Sequence, residues 1–473
     1  MSQRTEFSKD FSKNKQRIDE LLQIDKSFDL LYRVVIIGGK KACFYFVDGF
    51  FKDEIMEKVL EFLYKIKPEE MPETAHDFLN EKLPYGEIDL VRTENDLIQR
   101  CLSGVPLLMV DGYCELLAMD FRTYPARSVD EPEKDKVMRG SRDGFVETVV
   151  YNTALVRRRI RSTDLVMEMH TVGKSSRTDV VIAYMGNRVE PEMLNNIRKR
   201  IDAIEIDSLS MNQQSLAECL YQHKWYNPFP KVRYTERPDA AAASIMEGSI
   251  VLMVDNSPSV MILPTGFFDF TQESNDYYFP PLVGTYLRVL RVTVFLLSLF
   301  ITPAWYLMVS EPNRLPGWLN FLSSPEPVSL SLLSQLLVVE FLIDVLKLAS
   351  LNTPDSLSNS FSMLGALVLG DFAVQAGWLG PEVLVYMAFV SVAGFAQPSY
   401  ELGYAFKLLR VALLLVTAAF DVWGFCLGVV GIFILLCTTK PLVGKGYLYP
   451  LVPFNGKALL RLLVREPISR DNT

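Results

Sequence analysis

The sequence predicts a two-subdomain α/β cytoplasmic N-terminal region followed by an α-helical polytopic membrane domain. Residues 292–309 contain no charged side chain, and with their flanks they reach the ~20 apolar residues that a helix needs to cross a bilayer core of about 30 Å. Further apolar runs follow at 332–339, 363–369, 383–396 and 411–436. Everything before them has the composition of an ordinary soluble protein, with β-branched and aromatic runs alternating with amphipathic helical stretches.

In chain order, residues 1–30 read as a polar tail without the apolar core of a signal peptide. A first subdomain is expected over 31–125. It opens with strands at 33–37 and 42–47 joined by Gly38-Gly39, a strong hairpin signal. A helix over 53–66 follows, with Ile55, Val59, Phe62, Leu63 and Ile66 on one face and Asp53 and Glu54 at its positive end. Prolines at 68, 72 and 84 make 67–86 irregular, before a strand at 88–91. A hairpin over 107–121 turns at Asp111-Gly112. A second subdomain is expected over 126–284, after a charged, proline-interrupted boundary at 122–143. It holds a strand at 180–185 apolar on both faces, a helix led by Pro191, and a hairpin at 250–263. The tetrapeptide LMVD occurs at 108–111 and again at 252–255, hinting at two subdomains built on one hairpin unit.

The membrane domain is expected over 285–440 and a cytoplasmic tail over 441–473. Arg288 and Arg291 precede the first span, whereas 310–327 contains only Arg314, so the positive-inside bias puts the aqueous region in the cytoplasm. Lys440, Lys445, Lys457, Arg461 and Arg465 put the tail there too, giving an even number of crossings, most simply four. Residues 362–397 and 411–436 read either as full spans or as re-entrant hairpins.

Composition removes several function classes. The chain up to residue 284 carries 36 basic and 45 acidic residues, and nucleic-acid binding needs a basic footprint. Six cysteines lie scattered without CxxC spacing and there are three histidines, so neither a zinc site nor a disulfide framework is expected. Gly173-Lys174-Ser175-Ser176 lacks the upstream glycine of a phosphate-binding loop, position 168 being Glu168. No nucleophile elbow accompanies Ser141, Ser175 or His170. The expectation is a protein that is not an enzyme and carries no metal or cofactor.

Two sets of residues stand out. Glu340, Asp344 and Lys347 share one face of a helix over about 328–349, and Asp371 and Asp421 interrupt later apolar runs. Intramembrane charge marks an ion path or a bundle interior, the plainer alternative being an Asp344–Lys347 pair that locks the helices. In the aqueous region, Arg139 and Arg142 lie in the segment that opens the helix expected from Phe145, where N–H groups suit a phosphate or carboxylate. Arg157, Arg158, Arg159 and Arg161 extend this patch, read as pairing with acidic neighbours or contacting another subunit rather than holding a ligand.

The stretches RTYPARS (122–128), RGSRDGFVET (139–148), NTALVRRRIR (152–161), VGKSSRTDVVIAYM (172–185), YTERPDAAAA (234–243), VDNSPSVMILPT (254–265), LVGTYLRVLR (282–291) and QPSYELGYA (397–405) together resemble the A subunits of the GerA spore germination receptors. The resemblance runs from about residue 30 to the C-terminus. With EFLIDVLKLASLNTPDSL (340–357), the wording is most similar to a stage V sporulation branch of that family rather than to a nutrient-receptor subunit. It implies a multi-pass protein of the inner membrane of a bacterial spore, oligomerising with a pentamer proposed, and releasing monovalent cations when dormancy ends. The expected partners are the lipid bilayer, further copies of the chain and another spore membrane subunit. A nutrient-binding receptor subunit and a non-conducting membrane scaffold are the competing expectations.

Overall fold

The computed structural model describes residues 6–51, 53–83, 87–124, 141–221, 224–273, 276, 278–310, 317, 328–351, 373–442, 444 and 446–465. The chain divides into two compact units. The first comprises Met1–Gln222, Val232–Pro264 and Leu442–Gly444. The second comprises His223–Lys231, Thr265–Pro441 and Lys445–Thr473.

The first unit holds two five-stranded antiparallel sheets. Sheet 1 contains β1 (Leu30–Ile37), β2 (Lys40–Val47), β3 (Ile88–Val91), β4 (Leu107–Val110) and β5 (Leu116–Met119), in the order β1-β2-β4-β5-β3. Sheet 2 contains β6 (Leu165–Val172), β7 (Thr178–Met185), β8 (Arg233–Thr235), β9 (Ile250–Val254) and β10 (Val260–Leu263), in the equivalent order β6-β7-β9-β10-β8. LMVD ends the third strand in each sheet's spatial order, so the repeated tetrapeptide marks a duplicated fold. Gly38 and Gly39 both have positive φ, 53° and 74°, as the two-residue β1–β2 turn requires.

Each sheet is covered on both faces by helices, which is why β4, β5, β9 and β10 are buried along their whole lengths. On sheet 1, α1 (Phe11–Leu22) and α4 (Glu94–Leu102) pack on one face, with Ile18, Leu22 and Leu97 against Cys43 and Tyr45. On the other face lie α2 (Asp53–Tyr64) and α3 (Ala75–Glu81). Asp10, Thr74 and Thr93 cap α1, α3 and α4 with side-chain oxygens. On sheet 2, α5 (Val149–Arg159) and α8 (Pro238–Met246) cover one face. The other carries α6 (Pro191–Asp202) and α7 (Gln213–Leu220).

Two expectations change here. Part of the polar tail is α1, whose sparse apolar residues fall on one face and enter the core. The helix expected from Phe145 starts at Val149, because Asn152 folds back to bond the N–H and C=O of Val146 and holds that residue out of the helix.

The second unit is helical: α9 (Pro281–Ser310), α10 (Leu332–Leu351), α11 (Pro381–Phe395), α12 (Tyr400–Thr438) and α13 (Gly456–Leu463). Among the described residues, α9 and α12 are long and apolar enough to cross a bilayer, and α11 is a shorter apolar helix. α12 is a hairpin. Asp421 breaks it at φ 51° and ψ −132°. A Cβ on Gly424 would collide with the Val416 backbone, and one on Gly428 with Leu413, so arms 400–420 and 422–438 lie back to back. At 1.5 Å per residue the arms are about 31 and 26 Å long. The choice left open for 411–436 thus resolves to two antiparallel helices, because small residues let the backbones approach and Asp421 takes a turn conformation. The 362–372 part of the other ambiguous stretch lies outside the described residues.

Candidate functional sites

The charged stripe of α10 meets a matching stripe on the first arm of α12. Glu340, 9% exposed, accepts from Arg410 at 2.6 Å and lies 3.3 Å from Lys407 Nζ. Lys407 also pairs with Asp344, whose side chain is 36% exposed. Arg410 donates a second bond to the Ser298 carbonyl of α9 at 3.0 Å, so three helices converge on one guanidinium. One turn along α10, Gln335 is buried and accepts from Gly380 N at 2.9 Å, capping the start of α11.

Two carboxylates are therefore matched by two cations within one chain. The cavity beside them, lined by Thr302, Leu336, Glu340, Met387, Arg410 and Leu414 among others, measures about 10 Å³, room for a single water at most. The pair for Asp344 comes from Lys407, while Lys347 Nζ stands over the rings of Phe395 at 5.0 Å and Tyr404 at 5.9 Å. Asp421 sits away from this cluster, at the turn of the α12 hairpin. Asp371 lies outside the described residues. Lys407 and Arg410 were missed as site residues; their i,i+3 spacing puts them on one face and complements Glu340 and Asp344 at i,i+4, which is the signal that finds them.

The arginine patch separates into parts. Arg157 is wholly buried and leaves the set of possible ligand or subunit contacts. Its guanidinium makes a bidentate pair with Asp29 at 2.7 and 3.0 Å, and it also donates to Ser27 Oγ and to the carbonyls of Ser162 and Leu165. It thereby fastens the segment before β1 to sheet 2, where Phe28 N bonds the Met167 carbonyl of edge strand β6 at 3.1 Å. Arg159 is held by Asp143 at 2.5 Å and by Ser141 at 2.9 Å. Burial pushes the Asp143 carboxyl up, but the bonds from Arg159 and Ser141 outweigh it and leave it below its ordinary value. Arg142, Arg158 and Arg161 are exposed, Arg158 standing 4.5 Å over the Tyr124 ring. Arg139 lies outside the described residues.

Sequence reasoning passed over a second cluster. Glu168 on β6 receives Arg198 of α6 at 2.8 Å through Nε, and also the Tyr184 hydroxyl, while Arg198 reaches that hydroxyl at 3.0 Å. His170, two residues along the same strand face, lies 3.7 Å from Glu168 and 3.4 Å from Asp202. Burial raises the Glu168 carboxyl, but hydrogen bonds from His170, Arg198 and Tyr184 overcome that and hold it at about 2. The Glu168 hydrogen bond raises His170, and Asp202 adds to it. Gly173-Lys174-Ser175-Ser176 follows the end of β6, in the turn into β7, and not at a helix N-terminus that could cradle phosphate.

Comparison with known proteins bears on the whole chain. A family profile described as Bacillus/Clostridium GerA spore germination protein matches residues 16–473. The chain is similar to Stage V sporulation protein AF of Bacillus subtilis, 35% identical over 455 residues covering 96% of this chain and 92% of that one. It is also similar to Spore germination protein KA of Bacillus subtilis, 28% identical over 94% of this chain and 82% of that one. Among solved structures, the N-terminal domain of the A subunit of the Bacillus megaterium spore germinant receptor GerK3 matches at 25% identity and a TM-score of 0.42, covering 56% of this chain and 98% of that one.

Proposed function

Because the chain belongs to the Bacillus/Clostridium GerA spore germination protein family, we propose that it is a multi-pass subunit of a homo-oligomeric assembly in the inner spore membrane that releases monovalent cations as dormancy ends. The observation that carries the reading is the meeting of buried Glu340 and Arg410 with half-buried Asp344 and Lys407 among apolar helices. Charge within a membrane is expensive, and it persists where helices surround an ion path or a polar interior. The pairing here describes the resting state. Glu340 and Asp344 are neutralised, and a cation meets no net negative lining until Lys407, shared between them and partly exposed through Asp344, moves aside. Carboxylates freed in several copies around an axis would then favour cations.

The test uses the full-length protein. Reconstituted into liposomes, Lys407→Gln raises resting potassium efflux several-fold over the parent, because the lysine no longer cancels Asp344. In mild detergent the parent migrates as several copies. A paired Glu340→Gln and Asp344→Asn variant that stays folded yet leaves cation flux and germination rate unchanged removes the conducting role, and a monomeric mass removes the oligomer.

A further inference from the structure

The C-terminal helix α13 has the sequence GKALLRLL and no buried residue. At about 100° per residue, Leu459, Leu460, Leu462 and Leu463 fall within an arc of about 160°, while Lys457 and Arg461 project from the opposite side. Phe454, before the helix, and Val464, after it, add exposed apolar surface. Leu459, Leu462 and Leu463 are half-buried while Leu460 is 59% exposed, and an eight-residue helix is too short to be stable alone in water, so the uncovered part of its apolar face needs a cover.

Its attachment shows where that cover lies. Arg288 of α9 donates to the Arg461 and Leu462 carbonyls at 3.4 Å, satisfying the open C-terminal end of α13 with positive charge. Thr285 of α9 accepts from Arg465 N at 3.1 Å. These anchor points lie within the first turns of α9, just before its uncharged run begins at Val292, and Tyr286 beside them is exposed. An aromatic ring at the foot of a span marks the headgroup layer. Arg288 and Arg291 themselves surround the fully buried Asp276, so the bracket that holds α13 is rigid.

We propose that α13 lies in the headgroup layer at the foot of α9, its leucines dipping toward the acyl chains and the exposed Lys457 and Arg461 binding anionic lipid. A helix with this division of faces lies in the interface plane, and each basic side chain near an anionic surface strengthens binding about fivefold. Through Arg288 the lipid contact is coupled to the first span. The inference rests on the reading of α9 as a membrane span.

Hydrogen exchange of full-length protein in nanodiscs tests it. Amides of 456–464 exchange at least tenfold more slowly in phosphatidylglycerol-containing discs than in phosphatidylcholine discs, and Lys457→Gln with Arg461→Gln abolishes the difference, a loss of about 25-fold in lipid binding from two side chains. A Leu460→Trp variant gains fluorescence that brominated lipids quench beyond the parent's. Equal exchange in both lipids with no added quenching overturns the lipid contact while leaving the span in place. Protein that fails to enter nanodiscs at all overturns the span and the contact together.

Discussion

Arg157 shows how little a residue's type reveals about its task. It stands in a run of three arginines, yet it alone is sealed, with its partner Asp29 1% exposed. Breaking such a pair leaves an uncompensated buried charge, so Arg157→Ala or Asp29→Ala destabilises the protein by roughly 3–5 kcal/mol. A joint Arg157→Met and Asp29→Leu replacement recovers much of that, and thermal unfolding of the solubilised protein separates the two outcomes. The Glu168 cluster makes a pH prediction with two limbs. Glu168 is held at about 2, below its ordinary carboxylate value near 4.5, so its contribution is complete above that value and disappears as pH falls toward 2. His170 is raised, so its contribution is complete below about 6.5 and is lost as pH rises through its higher folded value. The melting difference between parent and Glu168→Gln is therefore largest near pH 5 to 6 and shrinks in both directions. A difference independent of pH would mean that the cluster is packing alone.

At the scale of elements, period and turn chemistry made most of the aqueous region legible. Gly38-Gly39, Asp111-Gly112 and the two LMVD copies placed three hairpins and pointed to the duplication. The helix α1 escaped because Phe11, Ile18 and Leu22 are too sparse a stripe to rise above a charged background. A second repeat was also present: Ser27-Phe28-Asp29-Leu30 and Ser162-Thr163-Asp164-Leu165 each lead into the first strand of a sheet. In both, the leucine N–H bonds the serine carbonyl at 3.3 Å. The α12 hairpin could be posed as an alternative but not decided, since the sequence shows Asp421 and Gly424 without showing which conformation they take. Asp421 has a φ of 51° that glycine adopts without strain, so Asp421→Gly stabilises the hairpin by about 1 kcal/mol. Gly424→Leu drives a side chain into the Val416 backbone and splays the arms. Crosslinking between cysteines placed at 413 and 428 reads this directly, forming readily in the Asp421→Gly background and not with Gly424→Leu.

For the molecule as a whole, the candidate site was half legible. The stripe of α10 announced itself by its spacing, but its partners lie 67 and 70 residues further on, and periodicity says nothing about which of two distant helices will meet. The contact joins α9, α10 and α12 through Arg410, so it decides whether the helical unit assembles at all. Arg410→Glu alone gathers three carboxylates around Lys407, and Glu340→Arg alone gathers three cations around Asp344. Each variant should yield little monodisperse protein in mild detergent, because like charges in an apolar bundle have no solvent to screen them. Exchanging both residues restores opposite charges across the same interface and recovers a substantial share of that protein. The lost bond to the Ser298 carbonyl keeps the recovery partial. If the double exchange is no better than either single one, the helices are joined by the packing of Trp305, Leu336, Met387 and Leu414, and the ion pairs are passengers. If it recovers assembly yet alters cation flux, the same four side chains both hold the bundle and set what passes through it.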